Sequence, residues 1–115
     1  MRRFLAGQFG IEQGSMVMFS DVEAGGAMWT GQGPREVRQA VRFSERFVGP
    51  PAVIVGVAMW DLDHATNQRG DLRAEAVAAD GFELVFSTWS DTRAARIRVD
   101  WTALGDLASD DLWDI

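Results

Sequence analysis

Gly81-Phe82-Glu83-Leu84-Val85-Phe86-Ser87-Thr88-Trp89-Ser90-Asp91-Thr92 alternates with the two-residue period of a strand and then runs into an aromatic and polar cluster. Phe82, Leu84, Phe86 and Thr88 fall on one face, and Glu83, Val85, Ser87 and Trp89 on the other. Trp89 therefore leaves the core face. An indole there is either a platform for a sugar ring or the cap of a second apolar layer or subunit interface, and this segment alone leaves both open.

Working outward, Ala79-Asp80-Gly81 turns the chain back onto Asp71-Leu72-Arg73-Ala74-Glu75-Ala76-Val77, so residues 70–89 read as a hairpin. Val37, Gln39, Val41 and Phe43 alternate with Arg38, Ala40 and Arg42 as a half-exposed strand, and Pro50-Pro51 stops its pairing. Ala52-Val53-Ile54-Val55-Gly56-Val57-Ala58-Met59-Trp60 is an apolar, β-branched run, expected to be covered on both faces at the centre of the fold. Ala95, Ile97, Val99 and Trp101 face one way, with Arg96, Arg98 and Asp100 opposite. In the first third, glycines at 7, 10, 14, 25, 26, 31 and 33 indicate a loop-rich region after an N-terminal segment around Arg3 to Phe9. Helical periodicity is absent over any ten residues. About six short strands with turn signals between them predict an all-β, antiparallel sandwich.

A chain of 115 residues has room for one core. The expected organisation is a β-sandwich domain over 1–105 and an acidic tail over 106–115, which holds Asp106, Asp110, Asp111 and Asp114 beside Leu107, Leu112, Trp113 and Ile115. That composition suits a segment folded back over an apolar edge better than a free binding motif. Seven Phe and five Trp supply the large buried areas a single core needs. The absence of Cys removes disulfides, thiolate metal sites and a cysteine nucleophile. Every basic residue is Arg, and the net charge of -6 lacks the basic excess of a nucleic-acid binder. Met1 to Gln8 carries two arginines without an apolar run of signal-peptide length, and no stretch approaches the length of a spanning helix, so neither classical export nor membrane insertion is expected.

Catalytic and metal chemistry find little purchase. His64 is the sole histidine and reads as a solvated loop residue, with no serine and carboxylate marked to converge on it. Asp61, Asp63, Asn67 and Asp71 invite a calcium reading, but Ala65 stands where an oxygen ligand belongs and the central glycine of an EF-hand loop is missing. Acids and Asn in such a connection more often bond their own backbone and pair with a nearby Arg, here Arg69 or Arg73. Gly31-Gln32-Gly33-Pro34 marks a tight turn and lacks the Gly-Lys-Ser/Thr of a phosphate loop. Arg38, Arg42, Arg96 and Arg98, mixed with Glu36, Glu83 and Asp100, read as ion pairing on a wet or inter-subunit sheet face. No enzyme, cofactor or metal site is expected.

Several motifs recur in a recognisable order: Phe43 and Phe47 before Pro50-Pro51, the apolar strand ending at Asp61, the loop Asp61-Leu62-Asp63-His64-Ala65-Thr66-Asn67-Gln68-Arg69, then Gly81-Phe82, Thr88-Trp89-Ser90-Asp91-Thr92 and Ile97-Arg98-Val99-Asp100-Trp101. From Phe43 to Leu104 the chain resembles the H-type lectin domain, the family of the snail agglutinins and of the C-terminal domain of discoidins. The resemblance implies a six-stranded antiparallel β-sandwich that assembles as a homotrimer and binds galactose-type sugars, N-acetylgalactosamine among them, near protomer boundaries. It implies that Trp89 packs on the sugar ring and that Arg69 donates to hydroxyls. The residue after the Trp, a His in the snail lectin, is Ser90 here, a shorter contact. An acid from an earlier loop maps near Gly31 and Gln32, where Gln can bond a hydroxyl without supplying charge. Asp91 and Thr92 match as loop-shaping residues. The competing reading keeps the sandwich as a structural trimerisation or adaptor module of a larger particle or surface appendage, without sugar.

Overall fold

A computed structural model describes residues 1–108 except positions 6 and 23. Among these residues six strands form two three-stranded antiparallel sheets: β1 (Gln8–Ser20), β2 (Arg35–Arg42), β3 (Ala52–Leu62), β4 (Asp71–Ala78), β5 (Gly81–Thr88) and β6 (Ala94–Leu107). One sheet has the order β1-β6-β3 and the other β2-β5-β4. This is the expected sandwich. The central strands are the two with the clearest alternation. On β5, Phe82, Leu84, Phe86 and Thr88 are buried; on β6, Ile97, Val99, Trp101 and Ala103 point inward while Arg96, Arg98 and Asp100 are exposed. Between the sheets, Phe82, Phe43 and Trp101 pack with ring centroids 5.5–6.0 Å apart, in tilted and edge arrangements that favour aromatic pairs.

The strand expected at the centre lies elsewhere. Among the described residues β3 is an edge strand, pairing only with β6, and Ile54, Val57 and Trp60 are exposed. A run that is apolar at every position signals two covered faces, but here Val53, Val55 and Leu62 pack against the core cluster from one face. The outward apolar residues are left on the surface of the chain.

The loop-rich reading of the N-terminal third is also corrected. β1 is a 13-residue strand through Gly14, paired along β6 from Gln8↔Leu107 to Ser20↔Arg96. Gly14 sits opposite Trp101, and a Cβ there would lie 2.5 Å from the indole. The glycine is required by an aromatic neighbour, not by a turn. β1 and β3 each slip register opposite the same stretch of β6, between Val17 and Phe19 and between Val57 and Met59. The extra residue on β1, Met18, buries its side chain, and its carbonyl accepts from Gln39 Nε2 at 2.9 Å. A one-turn helix, α1 (Ala27–Thr30), occupies the connection to β2. β6 continues through Leu107, carrying Asp106 into the sheet opposite Phe9; residues 109–115 of the acidic tail lie outside the described residues.

The arginine face divides between the two sheets. Arg96 pairs with Asp61 at 3.2 Å on the outside of the β1-β6-β3 sheet. Arg38 lies on the other sheet and meets Glu36 at 2.8 Å, Glu83 at 2.9 Å and Glu75 at 3.3 Å. Arg73 completes this second group, bonding Glu75, Asp71 and Glu36 at 2.5–3.0 Å. Together the two guanidinium stems cover Val85, which is fully buried although it faces outward. Arg38 also bridges Glu75 and Glu83, like charges set directly opposite one another.

Candidate functional site

The register of the β2-β5-β4 sheet fixes which side chains share its outer face. Glu36, Ser87 and Asp71 form one row, and Arg38, Val85 and Arg73 the next. Pairing stops at Arg35↔Thr88 on one side and Asp71↔Ser87 on the other, so Trp89 and Arg69 both lie just beyond the last paired rows. Trp89 is 43% exposed and lines an open depression of ≈ 370 Å³ with Pro34, Arg35, Glu36, Ser87 and Thr88. The two residues singled out for stacking and donation, Trp89 and Arg69, thus lie at the same end of the sandwich, Trp89 lining the depression and Arg69 joined through its carbonyl to Thr88, the residue before Trp89.

Backbone clamps hold this arrangement. The Thr88 hydroxyl donates to the Arg69 carbonyl at 2.6 Å, and the Arg69 amide donates to Thr92 Oγ1 at 3.1 Å. Thr92 in turn donates to the Asn67 carbonyl at 2.6 Å. Both threonines are buried, so their hydroxyls replace ladder bonds that the loops cannot make. Asn67 donates from its amide and side chain to Asp91 at 3.2–3.4 Å. The Asn67 side-chain bond, with help from the Asn67 amide, holds the Asp91 carboxyl below its ordinary value of 3.8. Arg69 Nε is buried and has no hydrogen-bond partner among the described residues, while the positive charge of Arg69 acts on Asp91.

Ser90 adopts φ 60°, a left-handed conformation that turns the chain immediately after Trp89. Its carbonyl accepts from the Gly33 amide at 2.9 Å and from Arg35 Nη2 at 3.2 Å, which pins the Gly31-Gln32-Gly33 turn beside the Trp89 loop. All five expected site residues therefore gather at this end, with different freedom. Gln32 is exposed. Gly31 spends its amide on the Ala27 carbonyl at 2.8 Å, and a Cβ there would lie 2.5 Å from that oxygen, so its part is to close α1 tightly. Of the loop acids, Asp63 accepts from Arg93 at 3.4 Å and from the Ala65 amide at 2.9 Å, Asp61 pairs with Arg96 and Asp71 with Arg73. Among the described residues no group of three or more His, Asp or Glu converges as a metal site. The His64 side chain is 99% exposed.

Three supports escape a reading of the sequence. Arg35 donates to the carbonyls of Gly33, Ala27, Met28 and Ser90. Arg93 stacks over the Trp29 ring at 4.4 Å while donating to the Trp29 carbonyl at 2.9 Å. Asp21 accepts from the Met28 amide at 3.0 Å and steadies α1. Arg35 and Arg93 reach segments remote in sequence while Asp21 bonds seven residues along the chain, and only the position of Arg93 just after the Trp89 loop is a signal.

Comparison with known proteins bears on the fold and the family. A discoidin-1 chain of Dictyostelium discoideum is 35% identical over 78 residues, covering 67% of this chain and 31% of its own length. A Fuscovulum blasticum protein, ATP synthase subunits region ORF 7, is 52% identical over 111 residues and 96% of each chain. The structure of recombinant discoidin II of Dictyostelium discoideum shares the fold, with a TM-score of 0.76 at 20% identity over 91% of this chain and 39% of that one. The chain thus spans about a third of the discoidins it matches. Residues 38–104 match the H-type lectin domain, a span that takes in Arg69, Trp89 and Ser90 and leaves Gly31 and Gln32 outside. By that match over more than half its length, the chain belongs to the H-type lectin domain family.

Proposed function

We propose that this lectin-like domain binds galactose-type sugars, including N-acetylgalactosamine, without catalysis, at a site built on Trp89 and Arg69. The observation that supports the reading is the bond from Thr88 to the Arg69 carbonyl, which clamps the arginine backbone to the residue before the exposed Trp89 indole. An exposed indole takes the apolar face of a galactose-like ring, and a guanidinium fork donates to its hydroxyls. Ser90 and Gln32 are auxiliary contacts from the two loops joined by the Gly33-to-Ser90 bond. The family acid near Gly31 and Gln32 is replaced by an amide, which supports a weaker single site. Assembly as a homotrimer compensates, since three sites on one rigid body raise avidity without new contacts. A glycan array followed by titration tests this: wild type binds galactose-type glycans, and Trp89→Ala or Arg69→Ala abolishes the signal. Binding that survives the double substitution overturns it.

The second reading, a trimerisation or adaptor module without sugar, is favoured by the exposed Ile54, Val57 and Trp60 on β3, which suit burial against another copy. Light scattering combined with tryptophan fluorescence separates the two. A trimer whose fluorescence responds to galactose-type sugars supports the lectin, and an unresponsive trimer supports the module.

A further inference from the structure

The depression beside Trp89 extends beyond the residues that the family resemblance supplies. Its floor continues down the outer face of β5 to Ser87, and its wall includes Glu36. Glu36 and Ser87 are direct cross-strand partners, one row below Trp89 on the same face. Two residues along a strand is about 7 Å, comparable to the span of one pyranose unit. The Glu36 carboxylate is fixed in place: Arg73 Nη2 donates to Oε1 at 3.0 Å, Ser87 Oγ to Oε1 at 3.3 Å, and Arg38 Nε to Oε2 at 2.8 Å. These donors leave acceptor capacity on Oε2. The bond from Arg38 holds the acid below its ordinary value of 4.5, so it is an anionic acceptor at neutral pH. The Ser87 hydroxyl also accepts, from Arg73 Nη1 at 3.1 Å.

We propose that Glu36 and Ser87 form a second subsite, which accepts hydrogen bonds from the hydroxyls of the neutral sugar unit joined to the one stacked on Trp89. This rests on the sugar-binding reading above. It adds a specificity that the Trp89 and Arg69 pair does not carry. A bonded carboxylate favours hydroxyl donors and disfavours a carboxylate or sulfate at the same place. The row is acidic on both flanks, with Glu36 on β2 and Asp71 on β4, while Arg38 and Arg73 are committed to ion pairs.

The test compares methyl galactoside with lactose, and the N-acetylgalactosaminyl counterparts of each, by titration calorimetry on the full chain. Wild type gains affinity from the second unit. Glu36→Gln loses about tenfold for the disaccharides, the size of a lost charge-assisted hydrogen bond, and Ser87→Ala loses less, while both keep their monosaccharide affinity. A disaccharide carrying a carboxylate on its second unit binds wild type weakly and recovers in Glu36→Gln. Ser87→Ala, which leaves every ion pair intact, keeps the test informative should Glu36→Gln alter folding. Unchanged disaccharide affinity in both folded variants, or an equal loss for monosaccharide and disaccharide, overturns the subsite while leaving the Trp89 site standing. Failure of wild type to bind either monosaccharide or disaccharide overturns the sugar-binding reading and the subsite together.

Discussion

Thr88 closes on Arg69: the threonine hydroxyl donates to the arginine carbonyl at 2.6 Å from a position that is 1% exposed. This bond ties the inward face at the end of β5 to the loop that carries Arg69. Packing and the site are therefore coupled through one buried hydroxyl.

Thr88→Val keeps the shape and removes the donor, leaving a part-buried carbonyl unpaired. The expected cost is about 1–3 kcal/mol in urea denaturation. If the clamp positions Arg69, sugar affinity falls while the exposure of Trp89, read by quenching, stays near wild type. A variant as stable as wild type would show that the carbonyl finds another donor.

Gly14→Ala forces a methyl to within 2.5 Å of the Trp101 indole. Because Trp101 packs against Phe43 and Phe82 at the middle of the sandwich, the ring cannot simply step aside. The expected loss is about 1–3 kcal/mol. Gly56→Ala, in an edge strand where a Cβ meets nothing within 4 Å, is the control and stays near wild type in thermal melts.

Arg93 joins α1 to the Asp63 loop by stacking on Trp29, donating to its carbonyl and pairing with Asp63. Arg93→Ala is expected to cost about 1–2 kcal/mol. Arg93→Lys recovers less than half, since an ammonium cannot stack and donate sideways together. Full recovery with Lys, measured by chemical denaturation, would reduce the role of Arg93 to charge alone.

Ala76 holds φ 52° where β4 slips register between Glu75 and Ala78. Ala76→Gly relieves a left-handed backbone and is expected to match or exceed wild-type stability, whereas Ala74→Gly, in regular strand, loses about 0.5–1 kcal/mol. Thermal melts of the pair check the sign.

Asp91 and Glu36 are carboxyls held below their ordinary values of 3.8 and 4.5, by Asn67 and Arg38 first. Their contribution to stability is complete above those values and is lost as pH falls through the lower folded-state values, because the unfolded chain takes up protons first. Stability is therefore expected to fall from about pH 4.5 downward. Asp91→Asn flattens the acid limb below pH 4 in urea midpoints measured against pH. An unchanged limb would mean that the Asn67 bonds do not favour the charged form.

The parts legible in the sequence are those governed by local period. β5 and β6 are centre strands with one buried face each, so Leu84, Phe86, Ile97 and Val99 announce their direction. Trp89 is placed off the core face by its parity on β5, whereas Arg69 has no periodic signal and is singled out only by the family resemblance. β1 is not, since Gly14 reads as a turn until Trp101 is placed beside it. β3 reads as a centre strand because apolar content does not distinguish a strand buried by its own chain from one whose outer residues stay exposed. Arg35 and Arg93 escape for a related reason: their partners are main-chain carbonyls, which have no sequence signature.

The end of the sandwich that carries Trp89, Arg69 and Gln32 is also where β6 begins and β5 finishes. In any ring of copies whose rotation axis runs along the strands, every such end points the same way. Under the proposed function, such a ring would grip a carpet of glycans on one flat surface and would be a poor cross-linker of two opposing ones.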